Sequence, residues 1–186
     1  MTDTEVRVRT AHTAELAPAE LTAIRALLDA AFAGHPDGAF TYADWDHTLG
    51  GVHVTAWEGD ALIGHASVVQ RRLLHGGRAL RTGYVEAVAV REDRRRRGHG
   101  GAVMSVAERY IRGAYELGAL GAAEEAVEFY AGRGWVRWLG PASALTPDGA
   151  VPTPDVDGWI YVLPLDRTPL DPAAPLTCDW RDGDVW

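Results

Sequence analysis

The chain contains no lysine: all 18 cationic side chains among its 186 residues are arginine. That absence excludes Schiff-base lysine chemistry and the G-x-x-x-x-G-K-[ST] phosphate loop. Cysteine is almost as scarce. A single residue, Cys178, makes neither an intrachain disulfide nor a cysteine metal cluster, and a reducing cytoplasm is the expected compartment. Only three serines occur, Ser67, Ser105 and Ser143, none of them inside G-x-S-x-G, which argues against a nucleophile-elbow hydrolase. The seven histidines are scattered and form no H-E-x-x-H pair, so no metal site is read. No apolar run approaches the roughly 20 residues that span a bilayer, and the opening MTDTEVRVRT lacks the apolar core of a signal peptide. A soluble, unexported protein is expected. The net charge of -8 further argues against nucleic acid or an anionic membrane as partner.

What is present is an ordinary globular composition, 47% hydrophobic and 24% charged, in a length that suits one domain spanning 1–186. Val6 and Val8 alternate with arginines as in a half-buried strand. From Pro18, residues Leu21, Ile24, Leu28 and Phe32 recur at helical spacing until Gly34. Thr41 and Asp44 have capping-box spacing for a short helix through Leu49. Three strands follow, Val52 to Trp57, Ala61 to His75 and Arg78 to Val90, separated by Glu58-Gly59-Asp60 and Gly76-Gly77, which reads as an antiparallel meander. A second long helix carries Val103, Val106, Tyr110 and Ala114. Then come a strand over 117–121, a helix over about 122–131 and a strand over 135–139, with irregular chain beyond, apart from a late strand over 159–163. The expected fold is α/β: a mixed, mostly antiparallel central sheet flanked by helices.

Residues 91–97, REDRRRR, form a basic island of +3 in a chain that elsewhere carries 13 arginines against 24 acids. The island follows an apolar strand and leads through Gly98, Gly100 and Gly101 into a helix. A helix N-terminus offers unpaired N–H groups and positive potential to an anion, and glycines admit a phosphate close to the backbone. A phosphate site is therefore read there.

Arg95-x-x-Gly98-x-Gly100 resembles the [QR]-x-x-G-x-[GA] acetyl-coenzyme A loop of the GCN5-related N-acetyltransferases. Together with DWDHTLGG, VVQRRLL, YVEAVAV, RGAYELGAL, FYAGRGW and CDWRDGDVW, it makes the whole chain resemble the aminoglycoside 2'-N-acetyltransferases of that superfamily. The resemblance implies acetyl transfer from acetyl-coenzyme A, with no metal, to the 2'-amine of aminoglycoside antibiotics, conferring resistance, in a cytoplasmic homodimer. It implies a coenzyme site of Val88, Val90, Arg95, Arg96, Arg97, Gly98, His99, Gly100 and Gly101. Glu86 would receive the amine proton, through ordered water, and Tyr130 would protonate the departing thiolate. A strand bulge would free the Ala87 carbonyl for the amine and the Val88 N–H for the thioester oxygen. An aminoglycoside or another polycationic amine would meet acidic groups: Asp44, Asp184 and the Trp186 carboxylate, with Asp37 as a displaced candidate in HPDGAF and Asp155 and Asp157 as further loop acids. The tail interleaves Trp180, Val185 and Trp186 with acids, and its aromatics are expected to dock it by burial.

The chain departs from that pattern in two places. Ala87 stands where the family usually has glycine, and Gly121, Ala122 and Ala123 stand where it tends to have small hydroxyl residues. Two other functions compete: an acetyltransferase for a different amine (polyamine, peptide terminus or cell-wall sugar), and a coenzyme A-binding module without turnover.

Overall fold

A computed structural model describes residues 5–35 and 38–186. The chain forms two compact units, one from the chain up to Val69 with Val85–Arg109, the other from Gln70–Tyr84 with Tyr110–Trp186.

In the first unit, β1 (Val6–His12) pairs antiparallel with β2 (Val52–Glu58), and β2 pairs antiparallel with β3 (Ala61–His75). Residues 62–69 of β3 are buried without a break, polar His65 and Ser67 included, so both faces of this stretch of strand are covered. Helix α1 (Pro18–Ala31) opens on proline, with the Ala17 N–H donating to the Glu20 carboxylate at 2.9 Å. Its Ile24, Leu27 and Leu28 pack with Leu62 and Ala89, and Phe32, Phe40, Trp45 and Trp57 close around them. The capping box of α2 (Tyr42–Thr48) forms as its spacing requires, Thr41 Oγ1 accepting from the Asp44 N–H and the Asp44 carboxylate from the Thr41 N–H.

In the second unit, β4 (Arg78–Val90) runs parallel to β5 (Leu117–Gly121) at Thr82–Tyr84. β5 pairs antiparallel with β9 (Ile160–Leu163), and β9 with β6 (Val136–Arg137). β7 (Ala142–Thr146) and β8 (Gly149–Pro152) form a hairpin, while β10 (Leu176–Cys178) lies parallel to β7 and antiparallel to Leu73 and Leu74 of β3. The fold class is α/β with a mixed sheet, and two of these pairings are parallel. Helix α3 (His99–Ala114), like β3 and β4, contributes residues to both units.

The structure corrects the sequence reading after β5. The expected helix over 122–131 is a 3₁₀ turn at Glu124–Ala126 followed by the five-residue α4 (Val127–Ala131), and the expected strand over 135–139 keeps only Val136–Arg137. The chain beyond, read as irregular apart from 159–163, contains β7, β8 and β10 as well. Among the described residues, no helix is long and apolar enough to cross a membrane.

Candidate active site

The segment Glu86–Ala87–Val88 breaks the regularity of β4. Ala87 sits at φ 51°, left-handed and one of two non-glycine residues there among the described residues, a conformation that costs an L-residue roughly 1–2 kcal/mol. The backbone thus departs from extended geometry at the residue where the bulge is expected. Its carbonyl is not bare: His65 Nδ1 lies 2.8 Å from the Ala87 oxygen, and Ser67 Oγ donates to the Glu86 carbonyl at 3.4 Å. Glu86, Ala87 and Val88 are each half-buried.

Behind His65 stands a second histidine. His53 of β2 is opposite Ser67, two residues along from His65, so the two rings share a sheet face as a diagonal pair. Their nitrogens, His53 Nδ1 and His65 Nε2, are 3.0 Å apart, and His53 Nε2 is 2.9 Å from Thr13 Oγ1. Both rings are fully buried. Burial, with the neighbouring His53 adding to it against the opposing bond to Ala87, holds the His65 pKa down to about 3. Burial, with His12 nearby, holds that of His53 down to about 4. Both are neutral near pH 7. The sequence reading treated these histidines as isolated.

In the arginine loop, the guanidiniums of Arg91, Arg94 and Arg95 are engaged within the protein. Arg94 pairs with Glu58 at 2.7 Å and with Asp93 at 2.7 Å, and Arg91 pairs with Asp93 at 2.6 Å. The hydrogen bond from Arg94 holds the Glu58 carboxyl below the usual carboxylate range. Arg95 donates through Nε to the Val90 carbonyl at 3.2 Å, and Arg95, Arg96, Arg97 and Gly98 are exposed. Arg96 at φ 60° and Gly98 at φ 85° turn the chain into α3, whose first helical bond runs from Ala102 N–H to the Gly98 carbonyl. The N–H groups of His99, Gly100 and Gly101 thus fall in the first turn, where no intrahelical acceptor exists. This donor-rich, cationic turn suits a pyrophosphate.

In the second unit, Tyr130 is 6% exposed, with its ring edge-on to Trp135 at 6.1 Å. The tail is tied down chiefly by Trp186: its indole N–H donates to Thr153 Oγ1 at 2.9 Å, its backbone N–H to Asp184 Oδ1 at 3.0 Å, and its main-chain oxygen accepts from Arg181 at 2.7 Å. Thr153 leads into the 3₁₀ turn Pro154–Val156, so the Trp186–Thr153 bond draws the Asp155 segment and the Asp184 segment together. Trp180, expected among the docking aromatics, is instead 48% exposed.

The acids differ in what their structural duties leave available. Asp44 is engaged in its own helix cap, and Asp157 accepts the Ala142 N–H at 2.9 Å. Asp155, Asp157 and Asp184 are all exposed, Asp184 with one oxygen on the Trp186 N–H. Asp37 lies outside the described residues. Sequence reasoning passed over an open cleft of about 490 Å³ rimmed by Glu124, Glu125 and Glu128 beside Trp159. The doublet Glu124-Glu125 was visible as charge, but the helix read over 122–131 hid the turn that gathers these carboxylates. Among the described residues no group of three His, Cys, Asp or Glu side chains comes together to hold a metal.

Residues 12–137 match the family model described as an acetyltransferase (GNAT) domain. The chain is 49% identical over 181 residues to an aminoglycoside 2'-N-acetyltransferase of Mycolicibacterium fortuitum, covering 96% of this chain and 91% of that one. Among solved structures, Escherichia coli ElaA superposes with a TM-score of 0.62 at 21% identity, covering 85% of this chain and 99% of that one. A GNAT family acetyltransferase from Brucella melitensis, in complex with acetyl-CoA, gives 0.58 at 16% identity, covering 85% and 96%. At such identities the two structures speak for the fold alone.

Proposed function

Since this chain belongs to the GNAT acetyltransferases, we propose that it moves the acetyl group of acetyl-coenzyme A onto the 2'-amine of an aminoglycoside. The observation that carries the substrate class is the 49% identity, over nearly the full length of both chains, to a protein of that activity. The left-handed Ala87 supports the chemistry, because it sets a carbonyl and an N–H apart from a regular ladder next to a carboxylate.

Bound acetyl-coenzyme A would supply the thioester, and the exposed Arg95, Arg96 and Arg97 with the first turn of α3 suit its phosphates. Glu86 takes the proton that the ammonium must lose before it attacks. The Val88 N–H donates to the thioester oxygen as charge grows there, and the second lone pair of the Ala87 carbonyl receives the amine. A new C–N bond replaces the C–S bond, the Tyr130 phenol gives its proton to the thiolate, and the second proton shed by the acylated nitrogen passes to solvent, from which the phenolate is reprotonated. Exposed Asp155 and Asp184 present negative charge to a polycation.

One catalytic domain across 1–186 belongs to this reading, supported by β3, β4 and α3 each running through both units. So do a cytoplasmic location and a homodimer, the latter decided by light scattering. Thiol release from acetyl-coenzyme A, measured against a panel of amines, tests the function. Release with aminoglycosides carrying a 2'-amine, and none with 2'-hydroxyl analogues, is the expected result. Preference for a polyamine or peptide amine would move the assignment within the family, and binding without release would reduce the protein to a coenzyme A carrier.

A further inference from the structure

The direction of the hydrogen bonds between Thr13 and Ala87 is dictated by their ends. A carbonyl oxygen only accepts, so the His65 nitrogen at 2.8 Å from Ala87 must carry its proton on Nδ1. A neutral His65 then accepts at Nε2, which requires His53 to donate from Nδ1 across 3.0 Å. His53 in turn accepts at Nε2, from the Thr13 hydroxyl, whose one proton has the nearer acceptor there at 2.9 Å and the Gly51 carbonyl at 3.3 Å, while Thr13 Oγ1 itself accepts the Gly50 N–H at 2.9 Å. Every proton in this row points towards Ala87. Aligned hydrogen bonds polarise one another, and more so away from water.

The row ends on one particular peptide. The Ala87 carbonyl and the Val88 N–H belong to the same planar amide, whose resonance couples the two ends. A donor on the carbonyl draws electron density to oxygen and makes the N–H a better donor. It also pins a peptide that follows a strained left-handed alanine and would otherwise relax.

We propose that His65, backed by His53 and Thr13, is a positioning residue that fixes and polarises the Ala87–Val88 peptide for acetyl transfer. The inference rests on the acetyltransferase reading above, but part of its test does not need turnover.

Asparagine places its amide nitrogen where histidine has Nδ1, glutamine where it has Nε2, and leucine keeps bulk without a donor. His65→Leu and His65→Gln should lower kcat by about tenfold, the equivalent of about 1.4 kcal/mol in the barrier, with the KM for acetyl-coenzyme A within about twofold of the parent. His65→Asn should restore most of the rate. Melting curves and coenzyme A titration establish that each variant is folded, and the Asn-against-Gln contrast stands if His65→Leu does not fold. Nitrogen-15 NMR of the wild-type rings should find both histidines as the Nδ1–H tautomer between pH 6 and 8. An Nε2–H His65, equal rates in Asn and Gln variants, or unchanged turnover in His65→Leu would overturn the proposal. A wild-type protein that acetylates no amine would instead defeat the functional reading, leaving the tautomers to decide whether the row exists.

Discussion

Arg71 Nε lies 2.8 Å from Asp179 Oδ1, and Arg71 Nη2 lies 2.8 Å from the Asp179 carbonyl oxygen, so a buried guanidinium on β3 is held by the residue that follows β10. The second carboxylate oxygen takes the Arg72 N–H at 2.9 Å. Arg71 is 4% exposed and stacks over Tyr84 at 4.8 Å. Removing the carboxylate takes away the counter-charge of this buried guanidinium and leaves it the Asp179 carbonyl. Asp179→Ala should cost about 2–3 kcal/mol by urea unfolding, below the roughly 3–5 of a wholly buried pair because Asp179 remains 38% exposed. Unchanged stability would mean that water replaces the carboxylate at no cost.

Glu86→Gln and Tyr130→Phe should each lower kcat by about 10²-fold, the lower end for a positioned acid or base. The two outcomes are separable. Wild-type turnover in Tyr130→Phe would return Tyr130, already packed on Trp135, to the role of core aromatic.

Gly98 has a φ of 85° and open space where a Cβ would be. The cost of a side chain there lies in the backbone, and a β-branched residue is least tolerant of that conformation. Gly98→Val should weaken coenzyme A by about tenfold or more in calorimetric titration and leave aminoglycoside affinity nearly unchanged. A selective loss of aminoglycoside would reassign the loop.

The histidine pair makes stability depend on pH in a definite direction. Its folded pKa values of about 3 and about 4 lie below the usual 6.5, so between those limits the unfolded chain binds protons that the folded one refuses. Stability should be flat with respect to this pair above pH 7 and fall as pH drops from 6.5 towards 4, by up to about 1.4 kcal/mol per pH unit for each proton. His65→Asn should show a shallower fall over the same window. Identical slopes for parent and variant would place the titration elsewhere.

The meander of β2, β3 and β4 was legible because its turns carry glycine between strongly apolar runs, and α1 because Ile24 and Leu28 repeat at helical spacing. The β7–β8 hairpin carried a signal too, Pro147-Asp148-Gly149, passed over because its flanking residues are small and weakly alternating. β10 offered nothing local: three residues become a strand through partners on β3 and β7, with Arg71 and Asp179 fixing the end. At the site, Glu86 and the glycines stood out by type and position. The histidine row did not, since residues 53 and 65 become neighbours only through the hairpin register, although the turn at 58–60, centred between them, would have suggested it.

Cys178 is fully buried beneath the tail, its thiol 3.2 Å from the Val185 carbonyl oxygen, and burial pushes its pKa up. The chain's one sulfhydryl is thus a clock for the tail. A thiol-specific label can react only when residues 178–185 lift away, so the ratio of its rate to that of a free thiol measures how often the tail opens. A polycation that gathers Asp184 against its neighbours should slow that clock, and one that binds elsewhere should leave it running at the same pace.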